Sequence, residues 1–325
     1  KWNSFQKVKY LYLPASITRI GNHAFAAVTE GLDIPSYLPN RLTVVKSDAE
    51  SLYIGDNAFR TSYSLYEFDA TVSYIGDNAF MGTPGLQEIK FSDDITHIGN
   101  GAFNTSMLGK SITIPSTITE IGERAFAGDS ISEIIFENDI EAIPNEMFWN
   151  SWNLEKVTLP DSVKQIGENA FYHCTNLETI NLPNGLTTIG NNAFEGAFKY
   201  EGEVGITIPK SVKTIGQDAF KDIDSTAKLY VYSSSVPRAY VSENNINYVQ
   251  IDPDEITINN INSQYNAFDK IDKDNVSLEL TYNEASIRTE TITENIEIEY
   301  PESREDFRYG DASVKVTAHN ALGYK

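Results

Sequence analysis

Few side chains in this 325-residue chain are of a kind that does chemistry, and they are scattered. The histidines are His23, His97, His173 and His319, and the one cysteine is Cys174. A nucleophilic cysteine needs a base and an orienting group, and His173, its sequence neighbour, points away from it in an extended or turn conformation. A single cysteine makes no intrachain disulfide and no thiolate zinc site. His23, His97 and His173 fall at different positions of the repeat described below, so stacking does not bring them onto a metal, and they read as surface histidines. Asp269, Asp272, Asp274 and Asn275 are the densest acidic run. Oxygen ligands at that spacing suit calcium, but the glycine and glutamate of a hand-type loop are missing, and the run reads as a solvated turn. Glu67, Glu88 and Glu133 share one strand row. Paired acids of a glycosidase need a cleft, so this row reads as a solvated sheet face. There is no phosphate loop, dinucleotide fingerprint or nucleophile elbow. No catalytic residue, cofactor or metal is expected.

What must position these groups is a repeat of about 23 residues. An apolar residue, two variable ones, Ile-Gly, two variable ones and Ala-Phe occur as Ile17-Thr18-Arg19-Ile20-Gly21-Asn22-His23-Ala24-Phe25. The pattern returns at Gly55–Phe59, Gly76–Phe80, Gly99–Phe103, Gly122–Phe126, Gly167–Phe171, Gly190–Phe194 and Gly216–Phe220. A degenerate copy, Ile143-Pro144-Asn145-Glu146-Met147-Phe148, fills the gap. The glycine spacings are 34, 21, 23, 23, 45, 23 and 26. The 45 is two repeats around Pro144, and the 34 places an insertion near Ser36–Glu50.

Each copy holds two strand patterns. The first alternates, as in Leu154-Glu155-Lys156-Val157-Thr158-Leu159-Pro160, and the proline stops it. The second is short, as in Val163-Lys164-Gln165-Ile166, and ends at the glycine. One such unit cannot bury its Phe, Ile and Leu alone, whereas stacked units share a core. Phe25, Phe59, Phe80, Phe103, Phe126, Phe148, Phe171, Phe194 and Phe220 are therefore expected to form a buried spine. Ala before each Phe is read as the limit of what the turn accommodates. The glycine is read as supplying a backbone conformation that other residues avoid.

The pattern Leu-x-x-Ile-x-Leu-Pro-x-x-Val-x-x-Ile-Gly-x-x-Ala-Phe resembles the BspA-like, Treponema pallidum-type leucine-rich repeat family over roughly residues 6–250. The resemblance implies a leucine-rich repeat solenoid, a right-handed β-rich superhelix of nine to ten repeats with short helical or 3₁₀ turns. It places Cys174 in a column three residues after each Phe, with Ser62, Thr83, Ser106, Asp129 and Ser151. A buried, unreactive thiol follows. Residues 227–250 resemble the family's terminal cap, closing a first domain at 1–250.

After Gln250 the repeat stops. Val276–Tyr282, Ile296–Tyr300 and Ala312–Ala318 alternate as strands, and Tyr309–Thr317 resembles the closing strands of bacterial immunoglobulin-like modules. Residues 251–325 are read as such an all-β sandwich-like domain, short by a strand. Its implied role is a spacer. Both chain ends read as cut edges of a longer precursor.

Lysine plus arginine number 25 against 46 aspartate plus glutamate, a net charge of −21. Such a surface repels phosphate backbones, so nucleic acid is not an expected partner, and no run is long and apolar enough to span a membrane. The inward columns barely vary, while the outward residues of the first strands vary freely. Tyr10, Tyr12, Glu67, Asp69, Glu88, Lys90, Glu133 and Ile135 are expected on one continuous surface, and Trp149 and Trp152 flank the degenerate copy as a second candidate. The resemblance implies a bacterial surface or secreted protein that adheres to host or neighbouring-cell proteins; with no catalytic constellation the chain is read as non-enzymatic, and it is expected to be a monomer. Glycan capture is the alternative.

Overall fold

The computed structural model describes residues 8–26, 41–137, 139–199, 204–233, 235–252, 255–259, 277–283, 287–292, 297–299 and 315–317. The described residues between 8 and 252 wind into nine coils and a cap, and each coil contributes two short strands. In chain order these are β1 (Tyr10–Leu13) and β2 (Arg19–Ile20), β3 (Val44–Ser47) and β4 (Leu52–Ile54), β5 (Glu67–Asp69) and β6 (Thr71–Ile75), β7 (Lys90–Phe91) and β8 (His97–Ile98), and β9 (Ser111–Ile114) and β10 (Glu120–Ile121). There follow β11 (Glu133–Phe136) and β12 (Ala142–Ile143), β13 (Lys156–Thr158) and β14 (Gln165–Ile166), β15 (Thr179–Ile180) and β16 (Thr188–Ile189), and β17 (Gly205–Thr207) and β18 (Thr214–Ile215).

Every strand pairing in the coils is parallel, so odd-numbered strands build a first wall and even-numbered strands a second. The tight turn between them often starts at the proline after the first strand. Pro115, Pro160, Pro183 and Pro209 each accept from the N–H three residues on, at 2.9–3.2 Å. β3 lies inside the segment expected to be an insertion. It pairs with β1 and β5, so the extra residues of that coil precede it.

The Ala-Phe turns form a third stitched edge. Each Phe N–H donates to the carbonyl of the residue before Phe in the next coil, from Phe25 to Ala58 at 2.7 Å through Phe194 to Ala219 at 2.8 Å. The rings stack at 5.1–5.5 Å along the whole row except between Phe126 and Phe148, where they stand 6.1 Å apart. Phe59, Phe80, Phe103, Phe126, Phe148, Phe171, Phe194 and Phe220 are buried, whereas Phe25 is only half-buried. Met147 stands where the other coils have Ala and is itself buried. The turn therefore accommodates a larger residue than alanine, with the spine opening there.

The Ile-Gly glycines do not serve the purpose assigned from sequence. None has a positive φ; the left-handed positions lie two and six residues later. Asn57 and Thr61, Asn78 and Gly82, Gly101 and Thr105, and Asn169 and His173 occupy them with φ of 53–67°. Glycine is required because the coils approach here. A Cβ on Gly99 would sit 2.5 Å from Asp77 N, and one on Gly190 2.7 Å from Glu168 N. The residue after the glycine, or after Pro144 in the degenerate copy, stitches several coils at this edge. Asp77 Oδ1 accepts from Asn100 N at 2.7 Å, Asn100 Oδ1 from Glu123 N at 2.9 Å, and Asn145 Oδ1 from Glu168 N at 2.9 Å.

The interior column three residues after Phe is hydroxyl-rich and satisfied. Ser62 donates to Phe25 O, Ser151 to Phe126 O and Cys174 to Phe148 O, at 3.1, 2.9 and 3.1 Å. Asp129 is buried in the same column. Ser106 Oγ lies 2.7 Å from both Phe103 O and Asp129 Oδ2. One hydroxyl proton cannot serve two acceptors, so the second bond takes its proton from the carboxyl. Burial pushes Asp129 up to about 8, against the bonds its other carboxyl oxygen accepts from the Ser130 and Leu108 N–H groups.

The cap is β19 (Lys228–Val231), helix α1 (Val236–Glu243) and β20 (Tyr248–Gln250). Ser235 caps the helix by accepting from Arg238 N, with Pro237 in the first turn. β19 and β20 extend the first wall beyond β17. Tyr240 lies edge-on to Phe220, and its hydroxyl accepts the Phe220 N–H at 3.4 Å, in place of the next coil's carbonyl. Beyond Asp252 the described strands pair antiparallel: β21 (Glu255–Asn259), β22 (Ser277–Asn283) and β23 (Ile287–Ile292) in one sheet, β24 (Glu297–Glu299) with β25 (Lys315–Thr317) in another. Most of the expected sandwich falls outside the described residues.

Candidate binding surface

The first wall is not the continuous surface expected from sequence. Its hydrogen-bonded sheets are β1-β3-β5, then β15-β13-β11-β9, then β17-β19-β20, while β7 pairs with β6 of the second wall. Tyr10 and Tyr12 stand at one end of the first sheet, 70% and 62% exposed. The Tyr12 hydroxyl donates to Asp48, which holds the phenol above its usual value. Glu67 and Asp69 lie on β5, while Glu133 and Ile135 lie on β11 in a different sheet. Ile135 is half-buried.

Three acids of this wall are paired. Lys46 reaches Glu67, Lys90 reaches Asp69 and Lys156 reaches Glu133, each at 2.8 Å. Lys90 holds Asp69, and Lys156 holds Glu133, below the usual carboxylate range. An exposed pair of this kind contributes little to stability, but it removes the negative patch that a residue count suggests. Glu88 is exposed and makes no ion pair among the described residues. Glu67, Asp69, Glu88 and Lys90 do converge. With Tyr66, Phe68 and Gln87 they line a groove of about 350 Å³.

Trp149 and Trp152 lie away from this wall, on the Ala-Phe side. Trp149 stacks on Tyr172 at 6.3 Å with the Arg124 guanidinium 5.8 Å over its ring, and Arg124 pairs with Glu146. Trp152 is 60% exposed and has no ring partner among the described residues.

Sequence reasoning missed a second ladder. The outward row of the second wall is Arg19, Tyr53, Tyr74, His97 and Glu120. The Arg19 guanidinium lies 3.8 Å over Tyr53, Tyr53 stacks on Tyr74 at 4.3 Å, and Tyr74 stacks on His97 at 4.5 Å. His97 Nδ1 meets Glu120 at 3.1 Å. Burial, with Tyr53, Asp56 and Asp77 nearby, pushes Tyr74 up to about 12. The row is legible one residue before each Ile-Gly pair. Its ring faces cover one another, so it fastens coils and offers only edges to a partner.

Cys174 is buried, and burial raises its thiol far above the usual value. His173 stacks on Tyr172. Among the described residues no group of three or more His, Cys, Asp or Glu is placed to hold a metal; Asp269–Asn275 lie outside them. A second cavity, about 420 Å³, lies under the cap between Asp218–Ser225 and Tyr240–Asn247. Among the described residues no helix is long and apolar enough to cross a membrane.

The model of the BspA type leucine rich repeat region matches six copies, over residues 37–155, 102–227, 141–273 and 196–301. The chain belongs to this family. BspA type repeats thus account for the Ile-Gly and Ala-Phe rows that build the coils. The fold is similar to the crystal structure of a leucine-rich repeat protein from Bacteroides ovatus, with a TM-score of 0.57 and 23% identity over 74% of this chain. The chain spans 60% of that protein's length. Weaker likenesses are to the pneumococcal vaccine antigen PcpA (TM-score 0.42, 18% identity, 74% of this chain and 79% of that one) and a leucine rich cell surface protein from Faecalibacterium prausnitzii (TM-score 0.39, 20% identity, 70% and 65%). No curated protein matches the sequence.

Proposed function

We propose that this BspA type repeat protein is a non-enzymatic binding protein of a bacterial surface or secretion. It adheres to host or neighbouring-cell proteins through the first wall. One observation carries the reading: a fixed interior presents a wall whose outward side chains differ from coil to coil. Tyr10 and Tyr12 are large, exposed aromatics on strands whose other faces are locked into the core. Solenoids offer extended surfaces of this kind, and exposed tyrosine is well suited to protein contact. Family membership supports the bacterial surface placement. The change from parallel to antiparallel pairing after Asp252 supports reading 251–325 as a separate spacer.

The experiment is adhesion of protein-coated beads to cultured epithelial cells and to co-resident bacteria. Charge reversal of Glu67, Glu88 and Glu133 to Lys, combined with Tyr10→Ala and Tyr12→Ala, is expected to abolish it. Trp149→Ala with Trp152→Ala is expected to leave it intact. The opposite result moves the site to the tryptophan edge. The glycan reading is favoured by one observation of its own, the groove beside Tyr66.

A further inference from the structure

The groove between the third and fourth coils owes its existence to a missing pair of residues. From Gly55 to Gly76 the spacing is 21, against 23 for the next two coils. β5 therefore runs almost directly into β6, with only Ala70 between them. Lys90, which the repeat aligns with Asp69, instead pairs with Thr71, two residues out of step.

The consequence is a local failure of main-chain pairing. At five other coils of this wall, the second, third, sixth, seventh and eighth, two successive N–H groups share one carbonyl of the preceding coil. Tyr66 and Glu67 donate to Thr43 O, Ser132 and Glu133 to Lys110 O, and Glu155 and Lys156 to Ser132 O. At Gln87 and Glu88 the pattern stops. Among the described residues neither N–H donates to the third coil, and Tyr66 O accepts nothing. Two donors and an acceptor are left at the groove, where they must bond water or a ligand.

The side chains around them are of one kind. Tyr66 is 53% exposed and its ring has no stacking partner among the described residues. Gln87 adds an amide and Glu88 a carboxylate, both exposed. The Lys90–Asp69 pair fixes a further donor and acceptor at the rim. Donors and acceptors in alternation beside one flat ring match a sugar, whose hydroxyls both donate and accept and whose C–H face stacks on an aromatic. An extended peptide would need a longer row of free main-chain groups than one coil offers. With Glu67 and Asp69 each paired to a lysine, the carboxylate of Glu88 is what disfavours an anionic ligand in this lining.

We propose that this groove is a saccharide subsite that takes one or two residues of a neutral glycan. A volume near 350 Å³ is at the small end of ligand sites. The subsite goes beyond the protein-binding reading of the wall and stands or falls separately from it.

The test is saturation-transfer NMR and calorimetry on the full chain, with neutral trisaccharides of gluco, galacto, manno and N-acetylglucosamine type, and with 3′-sialyllactose. At least one neutral trisaccharide is expected to bind. Tyr66→Ala is expected to weaken it about tenfold at an unchanged melting temperature, while Tyr66→Phe binds as the wild type does. Glu88→Gln is expected to weaken it severalfold. No neutral sugar bound at millimolar concentration, tighter binding of 3′-sialyllactose, or affinity unaltered by both Tyr66→Ala and Glu88→Gln would overturn the subsite. Lost cell adhesion with intact sugar binding would count against the protein reading alone.

Discussion

The two strand walls of the solenoid are interrupted in different places. The first wall breaks on both sides of β7 and again between β15 and β17. The second runs unbroken from β2 to β10, then breaks before β12, at the coil with Pro144 in place of glycine. Where one wall is open the other is closed, and the phenylalanine row crosses every gap. At the Pro144 coil the ring spacing reaches 6.1 Å and the Phe126 N–H to Met147 O bond lengthens to 3.1 Å, yet β9, β11 and β13 stay paired. The first wall carries variable side chains and tolerates gaps. The inward isoleucines of the second wall and the Ala-Phe edge repeat from coil to coil and hold the stack.

The sharpest way to break this contrast is to cut the spine. Phe103→Ala removes a ring stacked on both faces and is expected to cost about 3–5 kcal/mol in chemical denaturation. Tyr12→Ala on the first wall should leave the denaturation midpoint in place. Equal losses would mean that the first wall and the spine carry the fold alike.

Asp129 tests the interior column by pH. Its folded value near 8 lies above its unfolded one, so its stabilising contribution is complete below about pH 4 and falls as pH rises toward 8. The slope cannot exceed about 1.4 kcal/mol per pH unit. Asp129→Asn keeps the acceptor for Leu108 and Ser130 and does not titrate. Wild type and variant should match near pH 4, and wild type should fall behind by about 2–3 kcal/mol between pH 5 and 7. Parallel stability curves would show a charged, stabilised Asp129.

Glycine approach gives the third comparison. Gly99→Ala places a methyl 2.5 Å from Asp77 N and is expected to cost about 1–3 kcal/mol, whereas a Cβ on Gly21 meets nothing within 4 Å. Gly21→Ala should be silent. The smallest effect is expected at the first-wall pair Lys156–Glu133: Glu133→Gln should not move the melting temperature and should leave its salt dependence unchanged.

The coils were legible because stacking constrains the same position nine times over, as at Ala58-Phe59 and Ala102-Phe103. Relations between coils were not. That Lys46 sits beside Glu67 depends on which segment of the second coil is the strand, and a 34-residue spacing does not say. The role of glycine was misread because a close approach and a left-handed backbone leave the same residue in sequence. The groove depends on a two-residue register shift, visible only as a 21 among 23s. Helix α1 has no counterpart in the repeat, and its Ser235 cap and Pro237 are local signals that a search for periodicity passes over.

The contact between Tyr240 and Phe220 bears on how such a chain changes length. At this contact the cap uses features that every coil has, a phenylalanine ring and its N–H. The Tyr240–Phe220 contact therefore recognises an ending without recognising which coil is last. A gene duplication that inserts one whole unit before Gly205 would present the same ring and the same N–H to the same hydroxyl. Array length is thus free to drift by unequal recombination while the terminator remains a single inherited cassette.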